Sequence, residues 1–196
     1  MSEIKSAFEI AMERINKMSD ATDSEKLKWK YLPEGKDLAM KYLKGEASLE
    51  DGLSGYSGES LSYVKEGIEE VLADQIVLPS NDKISPQFTK ALDGIVSVKE
   101  DKPRAQQIAS AINQLMDHFV TQGAEQRKQA ADMLKESFAG KLKAAATQKR
   151  LSIDTSALNV EALPQYHEEL SKVVAQINEQ YQIQLSELKR YLTETD

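Results

Sequence analysis

The sequence predicts an all-α protein, a helical bundle with a long antiparallel C-terminal helical hairpin and shorter N-terminal helices packed on it. Apolar residues recur at spacings of three and four along most of the 196 residues, which is the period of an amphipathic helix. No run of apolar residues is longer than three, whereas a buried parallel strand needs ~4–8 and a membrane span ~20. With 40% apolar residues, 9 glycines and 5 prolines, the composition is that of a globular chain.

The start of the chain carries two helix signals. Thr22 and Glu25 match a capping box, in which each side chain accepts a hydrogen bond from the backbone N–H of the other residue, so a helix begins there. A separate helix ends before it, near Ser19. Its single apolar face consists of Ile4, Phe8, Ala11, Ile15 and Met18.

The helix that begins at Thr22 contains a proline. Pro33 lacks the amide donor and clashes with the preceding turn, so we expect this helix to be kinked or split after Leu32. It resumes and ends at Gly45. Trp29 and Tyr31, just before the proline, either anchor a partner or hold the bend against the core, and we favour the core.

Residues 45–60 form a Gly/Ser-rich loop, with one short turn after Ser48. Four of the nine glycines lie there, and the triplet Gly-x-Ser occurs three times. A phosphate-binding loop would need Gly-Lys-Ser or Gly-Lys-Thr, but Gly58 is followed by Glu59, and no triplet completes the Gly-x-Ser-x-Gly of a nucleophile elbow. We therefore interpret the loop as a connector whose serines cap helices.

The middle of the chain predicts two more helices. One runs from about residue 60 to 78 on an apolar face. Ser85 followed by Pro86 is typical of an N-cap with proline at the first helical position, so the next helix begins there and ends near Lys99.

The longest helix is predicted from Arg104 to Arg150, where the sequence has no proline and keeps helical spacing. Gly123 is its main weak point, and we expect the helix to continue through it for about 70 Å. After a loop at 151–157, the last helix has an apolar pattern that repeats every eleven residues, which keeps its stripe nearly straight. That stripe includes Leu170, Val174, Ile177, Tyr181, Leu185 and Leu188.

Two long amphipathic helices joined by a short connection should fold back on each other. We describe residues 1–82 as an N-terminal helical segment and 83–196 as the hairpin, which together make one continuous structural unit. A helix of about 70 Å is nevertheless longer than a compact domain of this size, whose radius of gyration is about 16 Å. We expect a second copy of the chain to cover the part of the helix that exceeds the domain, with another protein as the alternative. A break of the helix at Gly123 would shorten it, and no partner would then be needed.

The residues that carry most catalytic and metal chemistry are missing or isolated. The chain has no cysteine, which excludes disulfides, thiolate metal sites and thiol nucleophiles. Neither His118 nor His167 has a carboxylate or a second histidine three or four residues away on the same helical face. Acidic clusters, such as that at residues 66–70, fit solvated helix faces. We therefore predict no metal, no cofactor and no enzymatic activity.

Charge is distributed unevenly along the chain. The formal net charge is −7, which disfavours non-specific binding to nucleic acid or anionic lipid. The stretch 127–150 is nevertheless basic, and the hairpin would lay it beside the acidic segment 152–196, where complementary charge sets register. A nucleic-acid accessory role for this stretch is the alternative. Its basic residues are Arg127, Lys128, Lys135, Lys141, Lys143, Lys149 and Arg150.

These observations favour a cytoplasmic, non-enzymatic protein that works by protein–protein contact, as a homo-oligomer with a dimer favoured or as an adaptor. The acids among the first ten residues and the lack of an apolar core there argue against a signal peptide. The predicted interaction surface combines the apolar stripe of the last helix with the basic residues of 127–150.

Overall fold

The computed structural model describes residues 22–80, 82–148 and 159–195, and every regular element within these ranges is a helix. A π-helix, Phe119–Gly123, and a 3-10 helix, Val160–Ala162, accompany the α-helices. The prediction of an all-α helical bundle is confirmed. The predicted helix before Ser19 and the predicted loop at 151–157 lie outside the described residues. In chain order the α-helices are α1 (Asp23–Lys44), α2 (Leu49–Leu53), α3 (Gly58–Asp74), α4 (Pro86–Val98), α5 (Lys102–His118), α6 (Ala124–Gln148) and α7 (Pro164–Glu194).

The helices group into two compact units. The first contains the described residues as far as Ile76 together with Gln87–Lys102, and the second contains Val77–Pro86 together with the described part of Pro103–Thr195. Helix α4 therefore belongs with α1, α2 and α3. The boundary at residue 82 between the two predicted segments falls inside a stretch of the second unit.

Helix α1 begins with the predicted capping box. Thr22 Oγ1 accepts from the backbone N–H of Glu25 at 3.2 Å, and Glu25 Oε2 accepts from the backbone N–H of Thr22 at 2.8 Å. The backbone N–H of Thr22, followed by its hydroxyl, lowers the pKa of the Glu25 carboxyl below its ordinary value. The charged form of this glutamate is therefore the one that caps the helix.

Of the two alternatives at Pro33, the split is wrong, because α1 continues through this residue from Asp23 to Lys44, and the kink stays a prediction. A proline inside a helix removes one hydrogen bond and costs ~3 kcal/mol. Helix α1 packs against α3 beyond this point, and Gly35 and Ala39 are buried. We attribute the continuous helix to this packing, which offsets the lost hydrogen bond.

Helices α1 and α3 cross at two glycines. A Cβ atom added to Gly35 would lie 2.1 Å from the carbonyl oxygen of Val64, and one added to Gly67 would lie 2.2 Å from that of Leu32. Only a residue without a side chain permits this approach of the two backbones. The crossing brings the apolar face of α3 onto α1 and closes the core of the first unit.

The core of the first unit is fully shielded from solvent. Ile68 and Leu72 on α3 and Ile95 on α4 have no exposed surface. The prediction that Trp29 is a core residue is wrong, since 48% of its surface is exposed. Its neighbour Tyr31 is half-buried and contacts the ring of Tyr56 edge to face, with 5.8 Å between the ring centroids.

In the second unit, helical structure continues from Lys102 to Gln148 through the π-helix. Gly123 therefore does not end the helix. Helix α6 packs against α7, and the two helices run antiparallel. Arg127 near the start of α6 contacts Asn178, whereas Phe138 further along α6 contacts Tyr166 near the start of α7. The connection at 149–158 lies outside the described residues, so the hairpin as a whole stays a prediction.

Within the described ranges, no helix combines the length and the apolar character that crossing a membrane requires.

Candidate functional site

The second unit contains a site built around its π-helix, Phe119–Gly123. A π-helix widens one turn and alters the local hydrogen-bond pattern, and such turns are frequent at functional sites. Here the backbone carbonyl of Phe119 accepts a hydrogen bond from Arg127 Nη2 at 3.1 Å, and the hydroxyl of Thr121 donates to the carbonyl of Asp117 at 2.6 Å. Side chains thus bond to the backbone on both sides of the widened turn.

Arg127 holds this turn in place. Its Nη1 donates to Asn178 Oδ1 at 3.1 Å, its Nη2 pairs with the carboxylate of Asp82, and its guanidinium lies 4.2 Å from the ring centroid of Phe119. The side chain is only 12% exposed. Arg127, predicted as part of a binding surface, therefore ties α6 to α7 and to the stretch before α4 within this unit.

Tyr181 of α7 packs against the same turn. Its hydroxyl lies 2.9 Å from Nδ1 of His118, and its ring packs edge to face on Phe119 at 5.1 Å. Gly123 permits this approach, because a Cβ atom there would lie 3.1 Å from the Tyr181 hydroxyl oxygen and 3.2 Å from Arg127 Nη1. His118 is thus an exposed residue with a hydrogen bond to a buried tyrosine.

A groove of about 460 Å³ runs along α7 beside this turn. That volume falls within the ~300–1,000 Å³ of ordinary ligand pockets. Its lining contains no Lys, Arg, Asp or Glu. It is lined by His118 and Gln126 on one side and by Val173, Gln176, Ile177, Gln180, Tyr181 and Gln184 of α7 on the other.

The chemistry of this groove suits binding. Primary amides both donate and accept hydrogen bonds, and the aliphatic side chains of Val173 and Ile177 offer apolar surface between them. Among the described residues of the chain, no group of three or more His, Asp or Glu side chains is placed to hold a metal ion. The groove can therefore hold an uncharged surface through amides and apolar contact.

The predicted basic residues occupy different environments. Lys135 pairs with Glu161 at 2.6 Å, and this contact raises the pKa of the lysine and lowers that of the glutamate. Lys141 is exposed and lies 5.4 Å from the ring centroid of Phe138. Lys128 and Lys143 are exposed. Lys149 and Arg150 lie outside the described residues.

The predicted apolar stripe of the last helix is divided between the interior and the surface. Tyr181 and Leu185 are buried by the chain itself. The other four members are half-buried: Leu170, Val174, Ile177 and Leu188. The interaction surface as a whole stays a prediction.

Sequence reasoning missed the groove. A signal was present, because Gln176, Gln180 and Gln184 follow one another at a spacing of four, which places the three amides on one ridge of a helix. Apart from Gly123, no feature of the sequence indicated the π-helix. The position of His118 beside Tyr181 depends on the packing of α7, which the sequence pattern does not specify.

Comparison with protein families gives one match. Residues 50–194 match the model of a family of unknown function, DUF6657, and this stretch contains helices of both units. Comparisons with curated proteins and with solved structures give no significant match. Since the matched residues are well over half of the chain, the protein belongs to the DUF6657 family.

Proposed function

We propose that this chain is a non-enzymatic assembly protein that joins copies of itself through α6 and α7. A dimer is the favoured state, and an adaptor that binds a different protein in the same way is the alternative. The observation that carries the proposal is the incomplete burial of the apolar surface of these two helices.

The apolar residues between α6 and α7 are only partly covered. Leu134 and Phe138 on α6 and Leu170 and Val174 on α7 are all half-buried, and Ala146 is the one buried residue of α6 among those described. Several core side chains of the first unit, such as Ile68, Leu72 and Ile95, have no exposed surface. An apolar face left open in this way favours contact with a partner.

The exposed surface of α7 is also short of charge. Between Val173 and Ser186, Glu179 is the single charged residue, although 29% of the whole chain is charged. Depletion of charge is typical of the central part of a protein interface. Ile183, in the middle of this stretch, is 56% exposed.

The two rival functions have less support. Arg127 and Lys135, two of the predicted basic residues, form ion pairs with acids of the same chain, which reduces the charge they can offer to a nucleic acid. The groove is lined by amides and aliphatic side chains, together with one histidine and one tyrosine. This lining supports binding more than acid–base catalysis.

Self-assembly is tested by sedimentation equilibrium of the full chain from about 5 to 500 µM. We expect the mass to rise with concentration from 21.9 kDa toward twice that value. Ile183→Glu places a charge on an exposed apolar residue of α7 and should weaken the association. Met40→Glu on α1, where Met40 is 47% exposed, is the matched control and should not. A constant mass of 21.9 kDa for the wild-type chain would refute the proposal.

A further inference from the structure

We infer that two copies of the chain pack α7 against α7 in antiparallel orientation, about a two-fold axis between Glu179 and Gln180. This inference rests on the proposed self-assembly and specifies the partner, the helix and the direction. It concerns one exposed face of α7, which we call the outer stripe. Its members are Gln165, Glu169, Lys172, Gln176, Gln180, Ile183, Glu187, Arg190 and Glu194, and all are exposed.

The outer stripe is one face of a straight helix. Its members follow at steps of three and four, and at ~100° per residue these steps keep them within one narrow arc. The buried residues Tyr181, Leu185 and Leu192 lie on the other side of α7. The stripe is therefore the part of α7 that a second helix can approach without disturbing the chain's own packing.

The charges of the outer stripe are self-complementary in one direction. Lys172 and Glu187 lie equally far from the midpoint between Glu179 and Gln180, on opposite sides of it. Antiparallel packing about this point places Lys172 of one copy beside Glu187 of the second copy, and the symmetry repeats the contact. Glu169 and Arg190 are related in the same way, which adds two further opposite-charge contacts.

Parallel packing gives the opposite result. In register, it would place Lys172 beside Lys172 and Glu169 beside Glu169, and like charges in contact disfavour a complex. The charges therefore select the antiparallel arrangement.

The contacts that these charged residues make within the chain are weak enough to be replaced by contacts with the second copy. Lys172 Nζ lies 2.9 Å from Glu168 and 3.0 Å from Glu169, and the Arg190 guanidinium lies 5.2 Å from the ring centroid of Tyr191. The Tyr191 hydroxyl donates to Glu187 Oε1 at 3.3 Å. All are exposed contacts between residues close together on one helix, and such contacts contribute little to stability.

Between the charged ends lies the uncharged groove. The antiparallel register brings Ile183 of the second copy beside Gln176, next to the half-buried Ile177. Ile183 then lies between the axis and the charge pairs of the rim, and Glu179 of each copy lies beside the axis. The stripe offers fewer residues than the 20–30 on each side of a standard interface, so we expect a weak dimer with a dissociation constant on the order of 10–100 µM.

Charge exchange tests the register. Lys172→Glu alone and Glu187→Lys alone each create like-charge contacts in both halves of the dimer and should raise the dissociation constant about tenfold. A mixture of the two variants restores every opposite-charge contact, so heterodimers should form with wild-type affinity. We would follow them by sedimentation velocity with a fluorescent label on the Lys172→Glu chain. Lys83→Glu and Glu50→Lys change net charge by the same amounts at exposed positions outside α7 and serve as controls.

Cysteine cross-linking provides a second measurement, because the chain has no cysteine of its own. A disulfide needs Cα atoms ~5.5–6 Å apart. In the antiparallel dimer, a mixture of Gln176→Cys and Ile183→Cys should cross-link as a heterodimer, whereas each variant alone should not, since its own positions lie ~10 Å apart along the axis. In a parallel dimer, each variant alone should cross-link, and the mixture should give no cross-linked heterodimer.

Each outcome decides a separate point. A wild-type chain that remains monomeric overturns both self-assembly and this inference. A dimer whose affinity is insensitive to Lys172→Glu, or a mixture without heterodimers, overturns the antiparallel register while self-assembly stands.

Discussion

Replacement of Gly67 by alanine tests whether the crossing of α1 and α3 holds the first unit together. The new Cβ atom would lie 2.2 Å from the carbonyl oxygen of Leu32 and 3.0 Å from the backbone nitrogen of Lys36. Both neighbours are backbone atoms of a helix, so neither can rotate away. The two helices must separate to admit the methyl group.

The expected cost follows from that separation. Real Cβ contacts essentially never fall below 3.0 Å, so a gap approaching 1 Å must open, and a gap of ~0.5–1 Å forfeits a quarter to a half of each dispersion contact that it interrupts. Overpacking of this kind costs ~1–3 kcal/mol, and we take the upper end because backbone must move. Alanine regains about 1 kcal/mol of helix propensity relative to glycine. The net loss is about 2 kcal/mol, or a fall of roughly 5–15 °C in the melting temperature.

Thermal unfolding followed by circular dichroism at 222 nm measures this fall. Gly140→Ala is the matched control, since Gly140 also lies inside a helix and a Cβ atom there would meet no other atom within 4 Å. Its melting temperature should stay constant or rise. Gly35→Ala should resemble Gly67→Ala, and the double variant should lose less than the sum, because the two residues form one contact. If Gly67→Ala melts at or above the wild-type temperature, the crossing does not have the role assigned to it.

Two further predictions concern single side chains. Arg127→Met removes the ion pair with Asp82 and the hydrogen bonds to Asn178 and to the carbonyl of Phe119. Because hydrogen bonds to a charged group are worth ~1.5–3 kcal/mol each, urea denaturation should show a loss of about 3–6 kcal/mol. Lys128→Met, at the exposed neighbouring position, should stay within ~0.5 kcal/mol of wild type, and an equal loss in both variants would contradict the role of Arg127. Glu25→Gln keeps a capping amide but removes the carboxylate whose pKa is lowered in the folded state. The wild-type chain should therefore be more stable than the variant above pH 4.5, the ordinary pKa of the carboxyl. This difference in stability should vanish as the pH falls through the lowered pKa. Unfolding midpoints of both chains from pH 7 down to pH 3 measure this difference in stability. A difference that grows as the pH falls would contradict the prediction.

The sequence was sufficient where structure depends on near neighbours. Thr22 and Glu25 are three residues apart, and their reciprocal bonds form as the capping pattern predicts. Pro86 likewise begins α4 as its position after Ser85 indicates. In these cases, the interaction that decides the structure lies within one helical turn.

Prediction from the sequence failed where contacts between residues far apart in the chain determine the structure. Pro33 disfavours a helix locally, but α1 packs against α3 beyond it and the helix continues. Trp29 belongs to a residue type that is usually well buried, yet its direction from α1 leaves it exposed. The groove was missed for the same reason, because His118 and Tyr181 are brought together only by the packing of α7.

The way each helix pair is joined explains why we assign self-assembly to α6 and α7. Helices α1 and α3 meet through glycines, so their backbones approach closely, and Val64 and Ile68 beside the crossing are completely covered. Helices α6 and α7 are joined instead by long side chains, such as Arg127 with Asn178 and Tyr166 with the backbone carbonyl of Ala131. Connections of that length leave apolar residues between the helices half-exposed. Because further apolar burial is favourable at about 25 cal/mol per Å², the incompletely covered pair gains most from a partner.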